Sequence, residues 1–340
     1  MKVLIAGLGS MGKRRLRLLR SLGHEVYGIE AKDERRAEVA AELKLQTFPS
    51  LHEAIQEVQP EALCVCTPPL THAAIIGEGL EAGLHVFSEL NLVNSGYTEN
   101  LALAAARNKV LFLSSTLLYR REISWIRRQV SQVQRRPDYL LHVGQYLPDW
   151  HPWDQLNDFF ISKRRTNGCR EILAIQLPWL IKTFGEIDEA HSAHRQASVL
   201  GLDFDDVYHL TLEHDSGTQG SFVCEVLSRP AAFNLEIFGE GLYIRWDGTP
   251  QGLYAANEHG KGLVRIDLYP ESEDIEHKEG YAPNIIENAY KTELETFISC
   301  IAGTGTPRYD WQDDVKTLAL IDEIEGVTGA ECNDGTEGLS

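Results

Sequence analysis

The sequence predicts an α/β protein: an N-terminal Rossmann domain, doubly wound on a parallel sheet, and a C-terminal α+β domain with a large open, mainly antiparallel sheet. Two observations carry this. Residues 2–30, KVLIAGLGSMGKRRLRLLRSLGHEVYGIE, read as an apolar strand, a glycine turn, an amphipathic helix and a second strand ending in an acid. Apolar runs and helical patterns then alternate through the first third of the chain, and after about residue 118 they give way to strand-like segments in series.

The opening unit is a nucleotide-binding pattern. Gly7 lets the chain leave the strand in a tight turn, Gly9 lets the backbone approach a pyrophosphate, and Gly12 lets the helix pack closely on the sheet. With Ser10 and Met11 between them, these residues aim amide N–H groups and the positive end of a helix dipole at one spot, which favours an anion without a basic side chain. Glu30 stands at the spacing where a carboxylate accepts hydrogen bonds from the ribose hydroxyls of NAD and repels the extra phosphate of NADP. NAD is therefore the expected cofactor. Lys32, Arg35 and Arg36 follow closely and keep NADP as the alternative.

The next elements keep the βαβ rhythm. HEVYGIE precedes RRAEVAAEL, ALCVCTP precedes THAAIIGEGLEAG, LHVFSEL precedes YTENLALAAARNK, and VLFLSST closes the series. Helical patterns near 119–134 and 168–183 are followed by DVYHLTLEH, TQGSFVCEVLS, FNLEIFG, GLYIRWDG, QGLYAANE and GLVRIDLY, short strands that suggest an antiparallel sheet over 207–269. Two helices, IIENAYKTELETFISCIAG and WQDDVKTLALIDEIEGVTGA, come last. The expected division is 1–118 for the cofactor domain, 119–330 for a substrate and oligomerisation domain, and 331–340 for a loose tail. An open sheet face with alternating apolar residues is costly to leave in water, so a homodimer or homotetramer is expected.

Composition narrows the class. At 340 residues the chain is long enough for two cores. The formal charge of −18 argues against general nucleic-acid binding, which normally shows a basic surface. No apolar run approaches the 18 residues of a membrane helix and Met1 leads directly into a strand, so no membrane partner and a cytoplasmic location are expected. Of the six cysteines, Cys64 and Cys66 fall in an apolar strand and the others lack metal-like spacing, so all read as reduced. His191 and His194 are three apart in a strand-like stretch and point to opposite faces, so no metal site is expected.

These residues resemble the glucose-fructose oxidoreductase, inositol dehydrogenase and rhizopine-catabolism group, the Gfo/Idh/MocA family. The resemblance rests on GLGSMG, on CTPPLTHA at 66–73, EAGLHVFSE at 81–89, YKTELETF at 290–297 and the final helix. It implies a nicotinamide-dependent oxidoreductase acting on a hydroxyl or ketone of a sugar, cyclitol or nucleotide sugar. It also places Thr67, Pro68 and His72 beside the cofactor, with Glu89 opening the signature that follows the fifth strand.

Two departures bear on the chemistry. The family's Glu-Lys-Pro signature reads Glu89-Leu90-Asn91, so the lysine that touches the reacting hydroxyl is a leucine, which cannot carry a proton. In TNGCREILAIQLPWLIKTFGEI the family's aspartate and histidine positions fall on Glu171 and Ile175, with Gln176 adjacent. Loss of a carbinol hydride requires loss of the hydroxyl proton as well, and a positioned acid or base contributes about 10²- to 10⁴-fold.

Three explanations stay open. Other residues supply the proton, the cofactor is kept for sensing or scaffolding without redox chemistry, or hydride passes internally with recycling on one substrate. For the first, the segment GQYLPDWHPWDQLNDFFISKRRTNGCRE supplies His151, the natural proton shuttle, with Glu171 and Lys163 as further catalytic candidates. Substrate candidates are Arg164 and Arg165 for a phosphate or carboxylate, Trp150 for stacking on a sugar ring, and Tyr119 and Gln176.

Overall fold

The structure, a computed structural model, describes residues 1–150, 156, 159–257, 260–269 and 286–327. The chain forms two compact units, one of residues 1–119 and 287–312 and one of residues 120–286 and 313–340. The units divide after Tyr119, and residues 287–312 belong with the first unit. The physical reason is a buried ionic network, described below, that ties this segment to the glycine-turn helix.

The first unit is built on a six-stranded parallel sheet. Its strands are β1 (Lys2–Ala6), β2 (Glu25–Ile29), β3 (Thr47–Phe48), β4 (Ala62–Val65), β5 (His85–Ser88) and β6 (Leu111–Leu113), in spatial order β3-β2-β1-β4-β5-β6. The order reverses between β1 and β4, and in such sheets ligands bind beyond the carboxyl ends of the strands at that switch. Val3, Leu4, Ile5 and Ala62 to Val65 are all buried, as expected of central parallel strands covered on both faces. The helices are α1 (Ser10–Ser21), α2 (Asp33–Leu43), α3 (Leu51–Val58), α4 (His72–Glu81) and α5 (Tyr97–Arg107). Ser50 caps α3 by accepting the Glu53 N–H at 3.2 Å, half of a capping box that the sequence reading passed over together with β3.

The second unit carries α6 (Arg121–Gln132), β7 (Asp138–Gly144), α7 (Gly168–Phe184), β8 (Ile187–Arg195), β9 (Val207–His214), β10 (Gln219–Glu225), β11 (Ala232–Gly239), β12 (Leu242–Trp246), β13 (Tyr254–Ala256) and β14 (Leu263–Arg265). The eight strands form one sheet in the order β14-β13-β12-β11-β7-β10-β9-β8. All pairs are antiparallel except β7 with β10. β7 therefore sits in the middle of the sheet, and it is the strand that the run of short strands did not reveal.

Alternation decides the two faces of this sheet. Tyr139, Leu141, Leu210, Leu212, Phe222, Leu235, Ile237, Ile244 and Trp246 are buried on the face where α6 and α7 pack. On the other face one register row crosses all eight strands as Arg265, Tyr254, Arg245, Glu236, Leu140, Ser221, Thr211 and His191. That row is polar apart from Leu140, while neighbouring positions on the same face, Val223, Phe238 and Leu263, are apolar and at least partly exposed.

The first unit also holds α8 (Glu287–Ile301), and α9 (Trp311–Glu325) runs into the second. Within the second unit Arg170 of α7 pairs with Asp322 at 2.7 Å and with Glu325, which docks α9 on α7. Asn167 caps α7, its Oδ1 accepting the Arg170 N–H at 2.8 Å.

Candidate functional site

The glycine turn has the shape a dinucleotide pyrophosphate requires. Gly7 has φ +87°, and a Cβ there would lie 2.7 Å from the Cys66 carbonyl oxygen and 2.9 Å from Thr67 Cγ2. At Gly12 a Cβ would lie 1.9 Å from the Gly7 oxygen, so only glycine lets α1 start this close to β1. At Gly9 a Cβ would meet nothing within 4 Å except the Arg35 Nη2 at 3.4 Å. The turn is thus closed against the protein at two glycines and open for approach at the third. The amides of the first turn of α1 lie beyond the reach of any intrahelical carbonyl and favour an anion there.

Glu30 follows β2. Its Oε1 accepts the Lys32 N–H at 3.3 Å and its Oε2 lies 3.4 Å from Arg35 Nε. Arg35 therefore reaches from Glu30 toward the glycine turn, while Arg36 is turned to the Glu30 and Ala31 carbonyls and to Asp33.

The strand-end segments after β4 and β5 are locked to this turn. Thr67 lies against Gly7, and Thr71 Oγ1 donates to Thr67 Oγ1 at 2.7 Å. Pro68 is exposed between them. His72 is 2% exposed, with Nε2 2.7 Å from the Thr67 carbonyl oxygen and Nδ1 2.5 Å from the Asn91 amide. Burial lowers its pKa, so the ring is neutral, and a carbonyl opposite Nε2 fixes the proton on that nitrogen. Asn91 Oδ1 faces Nδ1 in the structure, and a neutral ring with its proton on Nε2 requires that amide to be turned over so that its NH₂ donates. Both ring nitrogens of His72 are consumed in clamping one strand-end loop to the next.

Arg15 closes the ring from below. It is fully buried in α1, and its Nε donates to Glu89 Oε1 at 2.5 Å and its Nη2 to Glu293 Oε2 at 2.7 Å. The guanidinium also lies over the rings of Phe87 and Tyr290. Glu293 of α8 is itself saturated, since Ser114 Oγ, Thr116 Oγ1 and the Ser115 N–H all donate to it at 2.8–3.1 Å. Beside it Arg14 pairs with Glu287 at 2.8 Å. Burial raises the pKa of Glu293 although Arg15 opposes it. Burial also pushes the Cys66 thiol well up, so it is not a thiolate nucleophile at neutral pH.

Gly7, Gly9, Ser10, Met11, Gly12, Thr67, Pro68, His72 and Glu89 thus belong to one connected region at the carboxyl edge of the first sheet, with Glu30 linked to it through Arg35. Arg15 and Glu293 are its unforeseen members. Tyr119 is buried in the first unit near Glu293, which together with burial pushes its pKa up, and its hydroxyl accepts the Arg308 N–H at 3.2 Å under the Arg308 guanidinium.

The remaining candidates lie in the second unit. Trp150 donates from Nε1 to the Gln145 carbonyl at 3.0 Å and its ring edge approaches Gly168 at the start of α7. Lys163 and Arg164 are exposed and Arg165 is half-buried just before that helix, and Glu171 is half-buried in its first turn. Ile175 shares the half-buried face with Glu171 one turn on. Gln176 is buried and accepts Trp179 Nε1 at 2.8 Å. His151 lies outside the described residues.

Comparison with known proteins agrees with this geometry. The sequence model of the Gfo/Idh/MocA oxidoreductase family, described as an NAD-binding Rossmann fold, matches residues 1–114. A UDP-N-acetylglucosamine 3-dehydrogenase of Acidithiobacillus ferrooxidans is 27% identical over 307 residues, covering 89% of this chain and 93% of the relative. Among solved structures, an oxidoreductase from Agrobacterium radiobacter in complex with NAD⁺, L-tartaric acid and magnesium superposes with a TM-score of 0.79 at 12% identity over 96% of both chains. The WlbA dehydrogenase of Bordetella pertussis, in complex with NADH and UDP-GlcNAcA, superposes at 0.73 with 15% identity over 99% of this chain and 97% of its own. These superpositions establish the fold, and the family match over the glycine turn makes the first unit an NAD(P)-binding domain. Residues 1–114 of the chain thus match the Gfo/Idh/MocA family of oxidoreductases.

Proposed function

We propose that the protein is an NAD(P)-dependent oxidoreductase that transfers a hydride to or from a hydroxyl or keto carbon of a sugar-like substrate, with a nucleotide sugar favoured. The observation that carries this is the glycine turn, closed at Gly7 and Gly12, open at Gly9 and locked to the strand-end loops at Thr67 and Glu89. The relative of 27% identity is a nucleotide-sugar dehydrogenase, which supports the substrate class. Bound there, the nicotinamide supplies the hydride acceptor or donor.

The chain's own residues then have separable tasks. The turn and the α1 amides hold the pyrophosphate, and Glu30 accepts ribose hydroxyls, so NAD is the preferred cofactor. Arg35, already beside Glu30 and Gly9, is the residue through which NADP would be accepted. Lys163, Arg164 and Arg165 supply positive charge for an anionic substrate group, and Trp150 a ring for stacking. His151, Glu171 and Lys163 are the second unit's candidates for proton transfer, considered because Leu90 stands where the family has its lysine. Assembly as a homodimer or homotetramer in the cytoplasm is proposed as well, the oligomer being directly readable by light scattering.

Leu90 also supports a second reading, a cofactor-binding protein without redox chemistry that acts as a sensor or scaffold. Steady-state assay of NAD and NADP with sugars, cyclitols and nucleotide sugars separates the two. Turnover on a nucleotide sugar with NAD is expected. No turnover on any of them, with NAD exchanging freely, would replace the enzyme reading with the second one.

A further inference from the structure

The signature after β5 keeps its acid and loses its lysine. Glu89 is 9% exposed overall, and its side chain retains 12% exposure. Its Oε1 is fixed by Arg15 Nε at 2.5 Å. Among the described residues Oε2 takes no hydrogen bond, and it is not among the polar atoms sealed from solvent. The carboxylate is therefore held at one oxygen and presented at the other, at the carboxyl edge of the parallel sheet where such folds hold their ligands.

The other titratable groups around it are either committed or, like the Tyr290 phenol and the Cys64 thiol, hold their protons because burial raises their pKa. Glu293 accepts from Arg15, Ser114, Ser115 and Thr116 and is fully buried. His72 spends both nitrogens on Thr67 and Asn91. Arg15 spends Nε and Nη2 on the two carboxylates. The Cys66 thiol is a poor proton acceptor because burial disfavours its anion. Leu90, half-buried next in the chain, brings no ammonium that would neutralise Glu89.

We propose that Glu89 is the catalytic base that takes over the role of the missing lysine. This rests on the oxidoreductase reading above. In the oxidation direction the substrate's hydroxyl O–H bond breaks and its proton passes to Glu89 Oε2. The C–H electron pair leaves with its hydrogen as hydride to the nicotinamide of bound NAD, and the C–O bond becomes C=O. Reduction runs the same transfers backwards, with the Glu89 carboxylic acid as donor. Arg15 is the positioning residue: it fixes Oε1 and so aims Oε2.

The test uses Glu89→Gln, which keeps an acceptor for Arg15 Nε, and Glu89→Asp, which keeps a carboxylate. The expected result for Glu89→Gln is a fall in kcat of about 10²-fold or more, with the Kd for NADH, read by its fluorescence, changed less than threefold. A second readout is independent of turnover. In protein labelled with ¹³C at glutamate carboxyls and loaded with NADH, the Glu89 resonance, assigned by its loss in either variant, is expected to shift on addition of UDP-N-acetylglucosamine. A stationary Glu89 resonance while other signals report binding would overturn the proposal, as would full kcat in Glu89→Gln. A wild type inert toward all sugars tested defeats the oxidoreductase reading instead, so the two failures are distinguishable. If Glu89→Gln does not fold, Glu89→Asp supplies the assignment and the wild-type shift decides.

Discussion

At His72 a single ring joins two loops, and its protonation state is therefore linked to folding. Burial lowers its pKa from the ordinary 6.5, so the unfolded chain takes up a proton at a higher pH than the folded one. The stability it contributes is complete above pH 6.5 and is lost as the pH falls through the lower folded value. His72→Gln, which cannot titrate, should show a shallower decline in Tm than wild type between about pH 7 and pH 5. Some slope should remain, since burial lowers His24, His85 and His214 too. Identical slopes would mean that His72 is not buried in neutral form. The sequence placed His72 beside the cofactor but said nothing of Asn91 as its partner, because nothing local in Glu-Leu-Asn shows which loop the amide will meet. The placement of Gly7, Gly9, Gly12 and Glu30 was legible for the opposite reason: it is set by backbone within one βαβ unit. Gln176 and Tyr119 are buried with protein partners of their own, a placement that sequence does not distinguish from one lining a site.

At the scale of elements, α1 and α8 are joined by charge. In the run KRRLR of α1, Arg14 and Arg15 are buried and reach Glu287, Glu89 and Glu293. Only the fold, which brings residues some 280 positions apart together, discloses this. Removing one partner of a buried ionic group leaves its mates uncompensated and costs about 3–5 kcal/mol. Arg15→Met should therefore destabilise by that amount in urea unfolding, and Arg15→Met combined with Glu293→Gln should recover part of the loss. A loss below about 1 kcal/mol would show that the network is solvated. This network also explains why α8 belongs with the cofactor unit, which composition and helix periodicity did not reveal. β7 escaped notice because its parallel partner β10 lies some 80 residues away, so no hairpin turn announces it. The strands from β9 to β14 were legible, each flanked by its own turn residues.

For the whole molecule, the two-unit plan and the cofactor were readable because a parallel sheet with its glycine turn and a serial antiparallel sheet leave different patterns in the chain. The proton path was not, since it depends on which of several carboxylates keeps an oxygen free after folding. The central claim is that this cradle still supports hydride transfer in spite of Leu90. It is tested most directly with sugars and nucleotide sugars carrying deuterium at every ring carbon, incubated with the protein and NAD and analysed by mass spectrometry of the nicotinamide. Deuterium on the nicotinamide ring from a nucleotide sugar is the predicted result, and it would be seen even if hydride is recycled on one substrate. Bound, freely exchanging NAD that acquires no deuterium from any of these substrates would contradict the account.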